Sequence, residues 1–102
     1  MESYTTVSEA IEGLKARGFT TDFEFVNGEF QGFKDGRSFT AEELTIVEHH
    51  RFEGISNPDD ESIVFAIESN DGVRGVLVDA YGLYANPELA AFLKNVAMQR
   101  GV

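Results

Sequence analysis

Acidic side chains are the first groups in this sequence that could carry out chemistry. They are densest in the run NPDDE, residues 57–61, which follows Glu53 closely, and a further acid, Asp79, ends an apolar stretch. Carboxylate oxygens are the ligands that a hard cation such as magnesium takes in proteins. If the run folds back beside Asp79, then Glu53, Asp59 and Asp60 form a candidate magnesium site. The spacing matches no known metal loop, which favours a solvated turn initiated by the Asn-Pro pair.

The second candidate is the stretch GVLVDAYGLYA, residues 75–85, in which an acid is followed by a glycine turn between two tyrosines. A phosphoribosyl-binding loop also has an acid before a small-residue turn, but it carries two adjacent acids and a cradle of backbone amides. Here Asp79 stands alone and Tyr81 occupies a position that wants a small residue, so a structural turn is favoured. The alternative is a ligand site that includes an arginine for an anion. Its candidate residues are Arg51, Asp79, Tyr81, Gly82 and Tyr84.

Histidine and arginine offer less. His49 and His50 are adjacent, and adjacent side chains on a strand point to opposite faces, so the two cannot chelate one ion. Structural or surface roles are favoured for both. Arg51 and Arg74 could each receive an anion, with a salt bridge as the simpler interpretation. The sequence has no cysteine, which excludes thiolate catalysis, zinc-thiolate sites and disulfides. It also contains no glycine-rich phosphate loop and no Ser-His-Asp pattern.

Length and charge narrow the possible partners. The chain has 102 residues, 42% of them apolar, which suffices for one domain over residues 1–102. Its formal charge of -10 repels nucleic-acid phosphates and anionic lipids, so neither nucleic acid nor a membrane is expected as a partner. No apolar run is long enough for a signal or transmembrane segment, and we expect a cytoplasmic protein.

One helix is predicted near each end of the chain. Thr6 with Glu9 three residues later fits a capping box, which predicts a first helix over residues 7–17. Asn86 as N-cap with Pro87 at the first helical position begins the second helix. Its apolar stripe continues to the Arg-Gly pair close to the last residue.

Alternation and turn residues predict the strands. Residues 19–26 alternate apolar and polar side chains as a half-buried strand does. Asn27-Gly28 tolerates the positive φ values of a type I′ turn, so we expect a hairpin that sets Phe30 opposite Phe25. After a short helical turn capped by Thr40, further strands are expected.

These further strands complete the predicted fold. Residues 44–53 form one, while residues 63–68 and 73–78 are apolar on both faces and are joined by an SNDG turn that makes them antiparallel neighbours. We therefore predict an α+β fold, with an antiparallel sheet of four to five strands and an N-terminal and a C-terminal helix packed on it. One layer of helices would leave the central strands open unless the helices split or a second chain covers them, so a homodimer is possible.

The run RFEGISNPDDESIVFAIESNDGVRGVLVDAYGLY, residues 51–84, resembles a family of small bacterial proteins of this length that are often labelled phosphoribosylpyrophosphate synthetase. The resemblance implies that label and no catalytic residues. The label conflicts with the chain's length, because such synthetases need two doubly wound domains to hold ATP, magnesium and a sugar phosphate. The matching residues are Arg51, Phe52, Glu53, Gly54, Asn57, Pro58, Asp59, Asp60, Asp71, Gly72, Gly75, Val78, Asp79, Ala80, Tyr81 and Gly82.

Three functions are consistent with these patterns. The favoured one is a non-catalytic binding or regulatory module without a cofactor, which meets itself or another protein. The second is a magnesium-dependent enzyme or binding protein for a phosphorylated sugar or nucleotide, as the family label suggests. The third is a small-molecule pocket between helix and sheet, with an apolar lining. The residues expected to line it are Phe23, Phe25, Phe65 and Tyr81.

Overall fold

The computed structural model describes residues 4, 6–32, 36–52, 62–80 and 87–98. These residues form a seven-stranded sheet in the order β3-β2-β1-β6-β5-β4-β7, curled into a half-barrel, with two short helices. The elements in chain order are α1 (Val7–Ala16), β1 (Thr21–Val26), β2 (Glu29–Gly32), β3 (Ser38–Phe39), a 3-10 turn (Ala41–Glu43), β4 (Leu44–Phe52), β5 (Ser62–Ser69), β6 (Arg74–Ala80), α2 (Pro87–Leu93) and β7 (Ala97–Met98).

The predicted fold, an antiparallel sheet of four to five strands flanked by two helices, is wrong. The described part is mostly sheet, and the sheet is mixed. Two antiparallel meanders, β1-β2-β3 and β4-β5-β6, meet through parallel pairing of β1 with β6. A second parallel pair adds β7 to the outer side of β4. The sequence does not reveal these parallel pairs because their strands are far apart along the chain and no turn joins them.

The parallel pairing of β1 with β6 depends on one glycine. Thr21 pairs with Gly75, and Asp22 pairs with Val76. A Cβ atom at Gly75 would collide with the backbone carbonyl of Thr21 and would lie 2.8 Å from Cε2 of Phe23. The absence of a side chain therefore lets the two meanders approach closely enough to form one sheet.

Both predicted hairpins are confirmed. Asn27 and Gly28 have φ values of 53° and 79°, and Phe25 pairs with Phe30 across this turn. The SNDG turn joins β5 to β6 as antiparallel neighbours, with Gly72 at a φ of 94°. In both turns glycine occupies a left-handed position that other residues rarely adopt.

The two helices lie on opposite faces of the sheet. On the face covered by α1, which we call the α1 face, Ala10 and Leu14 pack against Val64, Ala66 and Val76. The α1 helix begins as predicted, because the Thr6 hydroxyl accepts a hydrogen bond from the Glu9 backbone N–H at 3.1 Å. Residues 7–17 were predicted for this helix, and Val7–Ala16 form it.

The concave side, which we call the α2 face, carries the larger core. Leu89 of α2 is buried there, and Phe92 stacks on Phe30 with the ring planes 6° apart. The other buried residues of this core are Phe23, Phe39, Leu44, Ile46, Phe65, Ile67, Leu77 and Val96. Because helices cover both faces of the central strand β5, the open sheet face that suggested a homodimer is largely filled.

The second helix is shorter than predicted. It ends at Leu93, and Ala97–Met98 form β7 beside Thr45 and Ile46 instead of a further helical turn. The apolar stripe of this segment is satisfied by sheet pairing, which overrides a helical pattern where tertiary contacts favour it.

Candidate functional site

Two of the predicted ligand residues, Arg51 and Asp79, lie in one row on one face of the sheet. Arg51 pairs with Ile63 across β4 and β5, and Ile63 pairs with Asp79 across β5 and β6. Paired residues share a face, and Ile63 packs against the α2-face core, so all three side chains lie on the α2 face. Neighbouring strands are about 4.8 Å apart, which places the backbones of Arg51 and Asp79 about 10 Å apart. A ligand resting on Ile63 can thus be contacted from both sides.

His49 belongs to the same face. It pairs with Phe65, and the two ring centroids are 6.3 Å apart. His49 and Arg51 are both exposed, and they are two residues apart on one strand, so their side chains lie side by side. We call His49, Arg51, Ile63 and Asp79 the strand-end site. The sequence analysis compared His49 only with His50, although the His-x-Arg spacing on a strand indicates a shared face.

The site lies where two strands end together. Phe52 and Ala80 both pair with Ser62, so β4 and β6 run in the same direction and end in the same row. The other predicted site residues follow these ends and lie outside the described residues, so their roles stay predictions. They are Glu53, Asp59, Asp60, Tyr81, Gly82 and Tyr84. Among the residues that the structure describes, no group of three His, Asp or Glu side chains is arranged to hold a metal ion.

A second polar cluster lies on the α1 face. Arg17 donates two hydrogen bonds to Glu48, from Nη1 to Oε2 at 2.9 Å and from Nη2 to Oε1 at 2.5 Å. Nε2 of His50 lies 2.6 Å from the same Oε2, and the Tyr4 ring meets the His50 ring edge-on at 4.9 Å between centroids. Only 12% of the Glu48 side chain and 11% of the His50 side chain are exposed. The hydrogen bonds from Arg17 lower the pKa of Glu48 to about 2, against the desolvation that opposes ionisation.

This cluster holds α1 onto β4. The Arg17 guanidinium is committed to Glu48, whose carboxylate raises the pKa of that guanidinium in return. Tyr4 lies against Gly13, where a Cβ atom would come within 2.6 Å of the Tyr4 hydroxyl oxygen. The spacing Glu48-x-His50 puts both side chains on one face of β4, a signal present in the sequence. Its partner Arg17 is 31 residues away and could not be assigned.

Other cations of the described part also face carboxylates. Arg74 lies over the Phe19 ring at 4.1 Å from the centroid, with its Nε 3.4 Å from Oε2 of Glu68. Arg37 pairs with Asp71 at 2.6 Å. The salt-bridge interpretation of Arg74 therefore fits its surroundings, and its anion-binding alternative does not.

The aromatic residues proposed to line a pocket are packed against other side chains. Phe23 contacts Phe30 at 5.0 Å and Phe39 at 5.6 Å between ring centroids. Phe25 lies 5.7 Å from Phe92, and Phe65 is 8% exposed within the α2-face core. The fourth residue of that proposal, Tyr81, lies outside the described residues.

No match is found when the chain is compared with protein-family models, with curated proteins or with solved structures. The family resemblance of residues 51–84 therefore stays a prediction. Neither helix in the described ranges has the length and apolar character needed to cross a membrane.

Proposed function

We propose that this chain is a non-catalytic, cytoplasmic binding module that holds an anionic ligand at the strand-end site. The observation that carries the proposal is the row formed by Arg51, Ile63 and Asp79, with His49 beside Arg51 on the same face. Arginine presents a planar set of donors that matches carboxylate and phosphate oxygens. A half-buried isoleucine between the charged residues supplies an apolar floor.

The charge distribution supports this choice of ligand and site. The chain carries a formal charge of -10, so an anion approaches only where cations are displayed locally. Arg17, Arg37 and Arg74 act in the fold through Glu48, Asp71 and Glu68. Arg51 is exposed at a strand end, where a bound group can reach it.

Isothermal titration calorimetry with inorganic phosphate, ribose 5-phosphate and an acidic peptide tests the proposal, with Arg51→Ala as the variant. Lys94→Ala is the matched control, because it removes one positive charge from an exposed position on the helical side. We expect Arg51→Ala to weaken binding of the best anion by at least about tenfold, since one charged hydrogen-bonding group contributes about 1.5–3 kcal/mol. Lys94→Ala should leave it within about twofold. Equal losses in both variants, or no binding of any anion, would refute the proposal.

A second candidate is a magnesium-dependent site for a phosphorylated sugar or nucleotide. It is supported by the placement of a cation and a carboxylate on opposite sides of Ile63, because Arg51 suits a phosphate and Asp79 suits sugar hydroxyls. The predicted metal ligands Glu53, Asp59 and Asp60 follow β4 in the chain. Calorimetry with ribose 5-phosphate in the presence of magnesium and of EDTA separates the two candidates. Binding that requires magnesium favours this one, and binding unchanged by EDTA rejects it.

A further inference from the structure

The outer edge of β4 is only partly paired. β4 spans Leu44–Phe52, and β7 pairs with it at Thr45 and Ile46. From Glu48 to Phe52 the described residues supply no strand on that side, while the inner side pairs regularly with β5. The register shift between Ile46 and Glu48 separates the two parts of the strand. An unpaired strand edge offers backbone N–H and C=O groups in the spacing that an extended peptide requires.

This same segment carries an unusual concentration of basic side chains for so acidic a chain. Both histidines of the sequence and Arg51 lie within it. His50 faces α1 and is held by Glu48, whereas His49 and Arg51 are exposed on the α2 face. Exposed charges can also protect an edge from pairing, but basic charges on an edge select for an acidic partner as well as against a basic one.

We infer that the β4 edge binds an extended acidic peptide by strand addition, with acids at alternate positions of the peptide. Residues opposite His49 and Arg51 in an added strand fall on the α2 face, and the residue between them falls on the α1 face. An acid-x-acid pattern therefore places one carboxylate beside His49 and one beside Arg51. The inference rests on the proposed function, because it uses Arg51 as the anion-binding group, and it adds the chemical class of the ligand.

A second copy of this chain suits the edge less well. The regular part of the edge, Glu48–Phe52, pairs fully with itself only when His50 lies on the two-fold axis. That register sets each His49 opposite an Arg51, and like charges opposite each other destabilise a strand pair. Each copy also carries a formal charge of -10. An acidic peptide meets neither pair of opposed basic residues.

The test is an NMR titration of the full-length, ¹⁵N-labelled protein with a capped peptide of alternating Glu and Val. Three comparison peptides have Lys in place of Glu, N-methyl groups on the amides of one strand edge, or N-methyl groups on the other edge. We expect shifts to be largest at the amides of Glu48–Phe52. One N-methylated peptide should lose at least tenfold in affinity and the other should bind normally, because an added strand uses one edge. The Lys peptide should not bind. Arg51→Ala should lose at least tenfold, with partial recovery in Arg51→Lys, and Lys94→Ala should bind as the parent does.

Several results would overturn the inference while leaving the proposed function intact. Equal affinity for all the Glu peptides would show that only side-chain charge is recognised. Arg51-dependent binding of phosphate or ribose 5-phosphate without peptide binding would show that the site takes small anions alone. A concentration-dependent dimer in sedimentation that the peptide does not dissociate would show that a second copy holds the edge. Failure of every anion, small or peptidic, would refute both the inference and the proposed function.

Discussion

Replacing Gly75 with alanine should break the contact on which the seven-stranded sheet depends. The new methyl group would collide with the Thr21 carbonyl and would lie 2.8 Å from Cε2 of Phe23. The ring could rotate, but the carbonyl belongs to β1 and cannot move without separating β1 from β6. Since no other strand pairing joins the two meanders in the described part of the chain, the substitution strains the sheet at its centre.

The cost can be set from the geometry. Adding atoms to a well-packed interior costs about 1–3 kcal/mol, and a backbone obstacle places Gly75→Ala at the upper end, about 3 kcal/mol. Small domains have a free energy of unfolding of about 5–15 kcal/mol, so this is a large fraction of the total. A loss of about 1 kcal/mol lowers the melting temperature of a domain of this size by about 4–8 °C, and the expected decrease is therefore about 12–24 °C.

Gly32→Ala is the matched control. Gly32 is also a strand glycine beside Thr21, and neither glycine has a positive φ. Its added Cβ would lie 3.6 Å from Cγ2 of Thr21, an ordinary contact. Alanine there should be neutral or stabilising by up to about 1 kcal/mol, because glycine loses more chain entropy on folding. Urea unfolding followed by circular dichroism gives both values. Equal stability of Gly75→Ala and Gly32→Ala would refute the parallel pairing of β1 with β6.

Two further predictions concern the cluster that holds α1 onto β4, and one concerns its acid titration. Gly13→Ala should gain about 1 kcal/mol from helix propensity only in a Tyr4→Ala background, because the added Cβ would lie 2.6 Å from the Tyr4 hydroxyl oxygen in the parent; additive effects in the double-mutant cycle would contradict this contact. Arg17→Ala should cost more than Lys15→Ala in urea unfolding, since it strands a carboxylate with 12% exposure whereas Lys15 pairs with an exposed Asp22; equal costs would reject the anchoring role. Glu48 has a folded pKa of about 2 against an ordinary 4.5, so its contribution of up to about 3 kcal/mol is present above pH 4.5 and is lost as the pH falls toward 2. Glu48→Gln should flatten the stability profile between these pH values, and an unchanged profile would reject the assignment.

The parts of the fold that the sequence predicts are those with local physical causes. Asn27-Gly28 determines a hairpin because both residues tolerate positive φ, and the pairing of Phe25 with Phe30 follows from the turn alone. Thr6 determines where α1 begins, because its hydroxyl satisfies a free amide of the first turn. These features involve residues within a few positions of each other.

The parts that the sequence misses depend on distant residues. Pairing of Thr21 with Gly75 joins strands more than fifty positions apart, and an isolated glycine in a strand indicates a close approach without naming the partner. The segment after Leu93 keeps a helical apolar stripe, yet it pairs with β4 instead. For the candidate site, Arg51 and Asp79 were chosen from motifs, and their common row required the register of three strands.

The claim that an anion binds at the strand-end site is tested most directly by mapping inorganic phosphate onto the ¹⁵N-labelled protein by NMR. We predict saturable shifts at the amides of His49, Arg51, Ile63 and Asp79, and no comparable shifts around Arg74 at the other end of the same strands. Saturable shifts centred on Arg74, or small linear shifts spread over the whole chain, would contradict it.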